Sequence, residues 1–141
     1  MVHLMKLAVG VRDAAHLREL QAARAAAMPP LRHQTRHAPR RVDEITDGGS
    51  IYWVIQGALS VRQRVLEIVP GEWDDGSACA ALILDPALVP VVPRLIKPFQ
   101  GWRYLAAADA PADLDTTRPR MRGADALPPA LRRELETLCL L

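Results

Sequence analysis

The stretch Gly48–Arg64, GGSIYWVIQGALSVRQR, predicts the centre of the fold. Within it, Ile51–Ile55 is an unbroken run of β-branched and aromatic residues, and glycines bound the run on both sides. Such a run is typical of a strand buried on both faces, because a half-exposed strand alternates apolar and polar residues. We therefore expect a central strand here, with the rest of the chain packed around it.

The next segment, Ala58–Val69, fits two patterns. Its valines recur every four residues, as on one face of a helix. Val61, Gln63 and Val65 also alternate as in a strand, and a slip of phase at Leu66 would then mark a bulge. We favour the strand, because β-branched residues recur and a later apolar run predicts its hairpin partner.

If this segment is a strand, Gln63 points to one face and Arg62 and Arg64 point to the other. Both faces cannot be exposed in a strand that pairs with the central one, so either the glutamine or the arginines lie inside. A buried polar side chain without partners costs about 1–3 kcal/mol, so we expect fixed partners or a ligand. Asp85 and Glu67 are the predicted ion-pair partners of the arginines.

The remaining elements follow from periodicity and from proline positions. Asp13 is a good N-cap for a helix that Pro29-Pro30 ends. We predict an α+β fold with a small, mostly antiparallel sheet, or else a partly closed barrel, as a single domain over residues 1–141. The predicted elements are an interior strand at 3–9, a helix at 13–28, a strand from 31, a helical turn at 42–46, a strand at 78–84, an edge strand within 88–95, an extended surface loop at 106–126 and a short C-terminal helix from Pro129.

Length and composition are those of a globular protein. Of 141 residues, 50% are hydrophobic and 24% charged, and the apolar runs are too short to span a bilayer. The first residues, MVHLMKLAVGV, lack the cleavage pattern of a signal peptide, so we expect a cytoplasmic protein that does not bind membranes. Cys79 and Cys139 read as core thiols rather than as a disulfide framework or metal motif. We expect no metal and no cofactor.

The basic residues are almost all arginine. Eighteen basic against sixteen acidic residues give a net charge of +2, and only Lys6 and Lys97 are lysines. Arginine suits bidentate contact with phosphate or carboxylate, although a GC-rich genome produces the same bias. The segment Leu31–Arg41, LRHQTRHAPRR, is the most basic window and contains no acid. His33 and His37 have a metal-ligand spacing, but the surrounding prolines leave little room for the helix that it needs.

Several segments resemble one known family. They are MVHLMKLAVGV at the N-terminus, GGSIYWVIQG followed by VRQR, then LILDPALV, then PFQGWRYL. Together they are similar to the alphaproteobacterial domain-of-unknown-function family 1489, over nearly the whole chain. The resemblance implies a cytoplasmic bacterial protein and no particular activity. The order of an early helix, a basic strand and further strands is also similar to the PUA and ASCH group of RNA-associated domains, as an analogy of architecture alone.

The favoured function is a binding module for RNA or a nucleotide-like anion. No Gly-rich phosphate loop and no nucleophile elbow occurs in the sequence, so no catalytic residue is predicted. Arg36, Arg40 and Arg41 would bind phosphate, and Trp102 or Tyr104 would stack on bases.

Two other function classes stay open. In an enzyme or sensor for a small carboxylate or phosphate, one pocket between the central strand and PFQGWRYL would collect Gln56, Arg62, Gln63, Gln100 and Arg103. In a protein-interaction domain without chemistry, the arginines would pair with Asp43, Glu44, Asp74, Asp75 and the acids at 109–115. Across these hypotheses the candidate binding residues are Arg36, Arg40, Arg41, Tyr52, Gln56, Arg62, Gln63, Arg64, Gln100, Trp102, Arg103 and Tyr104.

Overall fold

A computed structural model describes residues 1–114 of the chain. Its elements are β1 (Val2–Leu7), α1 (Ala14–Ala27), β2 (Arg32–Thr35), α2 (Val42–Thr46), β3 (Ser50–Ile55), β4 (Ala58–Glu72), β5 (Ala78–Leu84), β6 (Val89–Leu95) and β7 (Trp102–Ala106), followed by a 3-10 turn at Ala107–Asp109. The predicted C-terminal helix, Cys139 and the part of the predicted loop beyond Leu114 lie outside the described residues.

The strands form one open sheet in the order β2-β5-β4-β3-β1-β7, and β6 also pairs with β4. β1 and β3 are parallel, whereas the other strand pairs of residues 1–114 are antiparallel. The parallel pair needs a long connection, which α1, β2 and α2 supply. The predicted α+β fold with a mostly antiparallel sheet is confirmed, and the sheet is open rather than closed into a barrel.

β3 is the central strand, and all six of its residues are buried. Ile51 and Trp53 pack into a core on the side covered by α1, which we call the helix face. Tyr52 and Val54 pack into a second core on the other side, which we call the opposite face. The prediction of a strand buried on both faces is confirmed, and its apolar run reflects the two cores.

β4 is one strand of 15 residues that changes partners along its length. Its first half pairs with β3 and β6, and its second half pairs with β5. Between the halves the register passes from Val65 to Glu67, so Leu66 is the extra residue of a bulge. The predicted strand with a slip at Leu66 is confirmed, and the helical alternative is wrong. The bulge bends the strand so that it can pair in two differently oriented parts of the sheet.

The helix α1 begins and ends where the sequence predicts. The side chain of Asp13 caps it by accepting a hydrogen bond from the backbone N–H of His16 at 2.8 Å. The helix ends before the two prolines at 29 and 30. Leu17 and Gln21 are its buried residues. Because they face the sheet, α1 places one amide side chain over the core of the helix face.

The proline-containing strand β6 lies at an edge, as predicted. It pairs with β4 on one side. On its other side the backbone N–H of Val92 donates to the carbonyl of Ala112 at 2.8 Å, and the N–H of Leu114 donates to the carbonyl of Pro90 at 2.8 Å. The described part of the predicted surface loop therefore covers this sheet edge and shields it from pairing with another chain.

Two further features concern what residues 1–114 can do. None of the helices in this part of the chain is both long and apolar enough to cross a membrane. The same residues contain no group of three or more His, Cys, Asp or Glu side chains placed to hold a metal ion. Cys79 is a buried free thiol, in agreement with its prediction as a core residue.

Candidate functional site

Three side chains form a row on the helix face, one each from β3, β1 and β7. In the strand registers Lys6 lies opposite Trp53 on one side and opposite Trp102 on the other. Residues directly opposite each other in neighbouring strands point to the same face. Lys6 therefore lies between two tryptophans, and within residues 1–114 it forms no salt bridge. Trp53 is buried and Trp102 is partly exposed, so the row runs from the core to the surface.

The outer end of this row holds the basic segment against the sheet. The indole Nε1 of Trp102 donates a hydrogen bond to the carbonyl of His37 at 2.8 Å. The hydroxyl of Tyr104 accepts hydrogen bonds from the backbone N–H groups of Arg40 at 2.9 Å and Arg41 at 3.2 Å. The two aromatic rings meet edge to face, with their centroids 4.9 Å apart. These contacts use the backbone of the segment, and the side chains of His37, Arg40 and Arg41 stay exposed.

A cleft of about 460 Å³ opens beside Trp102, and we call it the Trp102 cleft. Its cations are Lys6 and Arg36, its indoles are Trp73 and Trp102, and no carboxylate lines it. The full lining is Lys6, Gln34, Thr35, Arg36, His37, Trp73, Gln100, Gly101 and Trp102. Cations can bind phosphate, indoles can stack on bases, and amides can hydrogen-bond base edges. The cleft thus has the groups that single-stranded nucleic acid needs.

Trp73 separates this cleft from an acidic hollow. Its loop is closed by a hydrogen bond from its backbone N–H to the carbonyl of Ser77 at 2.9 Å. Asp75 accepts hydrogen bonds from the backbone N–H of Ser77 at 2.9 Å and from its hydroxyl at 2.6 Å, which lower the pKa of the Asp75 carboxyl. Asp74 and Asp75 line the hollow together with Arg36. Because carboxylates repel phosphate, an anion is favoured on the cleft side of Trp73.

Gln63 of β4 is the centre of a buried network on the helix face and is 0% exposed. Its Oε1 accepts hydrogen bonds from Nε1 of Trp53 at 3.1 Å and from Nε2 of Gln21 at 2.9 Å. Its Nε2 donates to Oε1 of Gln21 and to the carbonyl of Asp85, both at 2.8 Å. These bonds use both acceptor sites and both donors of the amide. Gln63 is therefore a structural residue that joins α1 to the sheet.

A second hollow, of about 220 Å³, lies between α1 and the sheet, and we call it the α1 cavity. Three cations line it, which are Lys6 from β1, Arg24 from α1 and Arg32 from β2, and no carboxylate does. The rest of its lining is apolar apart from Gln21 and His33. Lys6 lines both the α1 cavity and the Trp102 cleft, so the two hollows share one wall.

His33 is the unusual polar residue of the α1 cavity. Its Nε2 is buried and has no hydrogen-bond partner among the described residues. The ring packs edge to face against Trp53, with centroids 5.2 Å apart. Burial, followed by the charges of Lys6 and Arg24, lowers the pKa of His33 to about 4. The imidazole is therefore neutral near pH 7 and carries one donor and one acceptor nitrogen.

On the opposite face Arg62 forms a bidentate ion pair with Asp113. Its Nε donates to Oδ1 at 2.6 Å and its Nη2 donates to Oδ2 at 2.7 Å. The hydrogen bond from Arg62 holds the pKa of the Asp113 carboxyl below its usual range. The predicted partners Asp85 and Glu67 are wrong. The actual partner comes from the segment that covers β6 and is one of the acids at 109–115 that the protein-interaction hypothesis named.

The same face brings a histidine next to a serine. Nδ1 of His3 accepts a hydrogen bond from the backbone N–H of Ser50 at 3.0 Å, and the hydroxyl of Ser50 accepts one from Arg62 at 3.1 Å. Burial, then the charge of Arg62, lowers the pKa of His3. A nucleophilic serine needs a base that accepts from its hydroxyl. Here Nδ1 is used by the backbone, so this arrangement is structural.

Six of the predicted binding residues lie at or beside the Trp102 cleft. Arg36, Gln100 and Trp102 line it, and Arg40, Arg41 and Tyr104 adjoin it through the contacts given above. The charge of Arg41 is partly neutralised, because its Nε donates to Oε1 of Glu44 at 3.0 Å. Its guanidinium lies 5.5 Å from the ring centroid of Tyr104. The basic segment and the aromatic segment of β7 therefore meet, while Arg62, Arg64 and Arg103 lie outside the cleft.

The structure does not bring together the five residues predicted to converge on one small ligand. They are Gln56, Arg62, Gln63, Gln100 and Arg103. Gln63 and Arg62 point to opposite faces of β4, because they are neighbours in one strand. Gln56 lies in the β3–β4 turn at φ +51° and donates to the carbonyl of Val11 at 3.2 Å. The guanidinium of Arg103 lies 4.8 Å from the ring centroid of Phe99.

Two other predicted residues lie apart from the Trp102 cleft. Tyr52 is 3% exposed and belongs to the core of the opposite face, where burial raises the pKa of its hydroxyl. Arg64 is exposed just before the bulge of β4. Neither residue lines the cleft, so neither is carried forward as a binding residue.

Five residues of the two hollows were not predicted as binding residues from the sequence. Lys6 had a visible signal, as the one charge inside an otherwise apolar first strand. Trp73 also had one, as a lone indole in a polar connection. Arg24, Arg32 and His33 had none beyond their charge or spacing, because only the packing of α1 beside β2 brings them together.

The fold and these hollows define a small α+β domain with an open, mostly antiparallel sheet. The family model described as "Protein of unknown function (DUF1489)" matches residues 4–141, so the chain belongs to that family. The family resemblance seen in the sequence is thus confirmed. No curated protein and no solved structure gives a significant match to the chain.

Proposed function

We propose that this protein is a binding module for single-stranded RNA and that the Trp102 cleft is its binding surface. The observation that carries the proposal is the composition of the cleft. It combines two cations, two partly exposed indoles and two amides, and no carboxylate lines it. A cleft of this composition attracts the phosphate backbone and offers flat surfaces to the bases.

Different side chains of the cleft would contact different parts of the RNA. Arg36 is exposed and Lys6 stands at the inner end, so these two would contact successive phosphates. Trp102 is held by its bond to the carbonyl of His37, so its ring would offer a fixed stacking surface. Trp73 stands on the outer wall and would stack on a second base. A rigid ring loses little conformational entropy when it binds.

The two amides are not equivalent. Nε2 of Gln34 already donates to the carbonyl of Glu72 at 3.0 Å, so this side chain is committed to the fold. Gln100 is exposed and makes no side-chain hydrogen bond within residues 1–114. Gln100 is thus the residue placed to hydrogen-bond a base edge and to give the module any base preference.

The test is a titration with single-stranded RNA of about ten nucleotides, within the range of known single-strand sites. We expect binding that weakens as salt rises, with a slope of about −0.7 in log affinity against log salt for each phosphate contacted. Arg36→Ala should weaken binding and make the slope shallower by about that amount. Trp73→Ala should cost about 1–3 kcal/mol of binding free energy and leave the slope unchanged.

Arg103→Ala is the matched control, because it removes the same charge from an exposed position away from the cleft. Its affinity for RNA should equal that of the unaltered protein. Trp102 is left intact because it also anchors the basic segment. Absence of binding at micromolar protein in low salt would refute the proposal. So would an affinity indifferent to salt, or equal losses in the Arg36 and Arg103 variants.

A further inference from the structure

We propose that the α1 cavity is a second binding site, which holds one phosphoryl group of a ligand against Lys6, Arg24, Arg32 and His33. The site does not depend on RNA binding in the Trp102 cleft. It is a separate hollow under α1 that shares only the wall formed by Lys6.

The charges around the cavity favour an anion. Three cations from three different elements line it without a carboxylate, and none of them forms a salt bridge within residues 1–114. Like charges gathered around one hollow repel each other, and a bound dianion replaces this repulsion by attraction. Arg32 is oriented beforehand, because its Nη2 donates to the carbonyl of Pro29 at 3.2 Å. Its Nε also donates to the carbonyl of Pro30 at 3.4 Å, so the N–H groups available to a ligand are those of Nη1 and the second one of Nη2.

His33 supplies the fixed hydrogen bond of the site. Its buried Nε2 has no partner in residues 1–114, and a buried polar atom of this kind costs about 1–3 kcal/mol until it finds one. The low pKa of His33 keeps the ring neutral near pH 7. With the proton on Nε2, the ring would donate to a phosphoryl oxygen. A phosphoryl group has three terminal oxygens and so suits donors arriving from three elements better than a carboxylate, which has two.

The size of the cavity limits what enters it. Its volume of about 220 Å³ lies below the roughly 300–1,000 Å³ of sites for drug-sized ligands. It therefore holds a phosphoryl group and a few further atoms, and the rest of a larger ligand stays outside. Two sources fit this chemistry. One is the terminal phosphate of a nucleic acid lying in the Trp102 cleft, since Lys6 lines both hollows. The other is a free, small phosphorylated compound.

The first experiment uses inorganic phosphate and follows the imidazole nitrogens by NMR, with His33→Phe to assign the resonances of His33. We expect a saturable change at Nε2 of His33 and a rise of its pKa from about 4, because a bound dianion stabilises the imidazolium. Chloride at the same ionic strength should cause neither. Identical His33 resonances in phosphate and chloride would overturn the proposal.

A pair of double variants tests the cations. Arg24→Ala with Arg32→Ala should weaken phosphate binding by about tenfold or more, since it removes two charge-assisted contacts. Arg64→Ala with Arg103→Ala removes the same charge from exposed positions outside both hollows and should leave phosphate binding unchanged. Equal phosphate affinity of the two double variants would contradict the assignment of the site.

The second experiment distinguishes the two sources. It compares RNA oligomers that end in a 5′-phosphate, a 3′-phosphate or hydroxyl groups alone. A preference for one phosphorylated end that is lost in the Arg24/Arg32 variant assigns the cavity to the nucleic-acid terminus. Equal affinities, with phosphate binding retained, assign it to a free phosphorylated compound. If no oligomer binds while phosphate still shifts His33, RNA binding in the Trp102 cleft is refuted and the phosphoryl site stands.

Discussion

Polar side chains have different environments on the two faces of the sheet, as the neighbouring residues Gln63 and Arg62 of β4 show. On the helix face Gln63 is 0% exposed and bonds only to uncharged groups. On the opposite face Arg62 carries a full charge, and its side chain and that of Asp113 are 26% and 44% exposed. Removing a charge from water costs far more than removing an amide. The fold therefore buries the neutral side chain and leaves the ion pair in contact with solvent.

The same difference governs what happens when a partner is lost. On the opposite face the side chain of Asp113 is 44% exposed, so it can hydrogen-bond to water when Arg62 is lost. A group left behind around Gln63 cannot, because Trp53 and Gln21 are themselves buried. The energetic cost of a substitution should therefore depend on the face more than on the charge of the residue removed.

The largest effect should come from Gln63→Ala. This substitution leaves the indole N–H of Trp53, the amide of Gln21 and the carbonyl of Asp85 without partners. We expect the free energy of unfolding to fall by about 4 kcal/mol, measured by urea denaturation. Arg64→Ala, one residue further along β4 and exposed, is the control and should change it by less than about 0.5 kcal/mol. A loss below about 1 kcal/mol for Gln63→Ala would contradict the expectation that unpaired groups on the helix face are costly.

His33 extends the comparison to a titrating group, because it is a partly buried side chain of the helix face whose Nε2 is buried and can take up a proton. Its folded pKa of about 4 lies below the ordinary 6.5, so the unfolded chain binds the proton more readily. The stability that neutral His33 contributes is complete above pH 6.5 and is lost as pH falls from 6.5 towards 4. The difference corresponds to at most about 3 kcal/mol. The charged groups that oppose protonation of the ring are Lys6 and Arg24.

The measurement is the free energy of unfolding against pH for the unaltered protein and for His33→Phe. Phenylalanine preserves an aromatic edge against Trp53 and does not titrate, so the fall between pH 6.5 and 4 should be smaller in the variant. His3 has a lowered pKa as well and keeps part of the fall in both proteins. His37→Phe, at an exposed position, should reproduce the unaltered profile. Parallel profiles for the unaltered protein and His33→Phe would show that His33 does not control this acid sensitivity.

The smallest effect should come from the ion pair between Arg62 and Asp113. A double-mutant cycle with Arg62→Ala and Asp113→Ala should give a coupling of about 0.5–1 kcal/mol, as for other well-oriented pairs near the surface. The coupling should shrink when the ionic strength is raised. Thermal or urea unfolding of the four proteins provides the measurement. A coupling above about 2 kcal/mol that does not change with ionic strength would contradict this expectation. It would mean that water is excluded from charged groups on the opposite face as strongly as on the helix face.

Much of the fold could be predicted because its signals are local. The buried run before Gln56 identifies the central strand, and the interruption of alternation at Leu66 identifies the bulge of β4. Asp13 marks the start of α1, because its side chain accepts a hydrogen bond from the backbone N–H of His16, only three residues further on. Each of these features involves residues close in sequence. The parallel pairing of β1 with β3 had no such signal, because it joins segments more than forty residues apart.

The candidate site was predicted in part. The basic segment and the aromatic residues of β7 were both recognised by composition, and the structure places them in contact. The specific partners Asp85 and Glu67 predicted for Arg62 were wrong, whereas the protein-interaction hypothesis had included the acids of residues 109–115, among which Asp113 is the actual partner 51 positions away. Lys6 and Trp73 were not predicted as binding residues, because the role of a single charge or indole depends on its neighbours in the folded structure.

The sequence by itself determined most of the elements, the class of fold, the family and the density of arginine, because hydrophobic periodicity, capping and composition act over a few residues. The strand β7 was not predicted, since its aromatic cluster was not assigned to any element. Only the tertiary structure decided that Gln63 lies inside and Arg62 outside, although the alternation of the strand required one or the other. It also decided that one lysine stands between Trp53 and Trp102. The physical reason is that strand pairing and helix packing choose which distant side chains meet, and burial then sets which of them can remain charged.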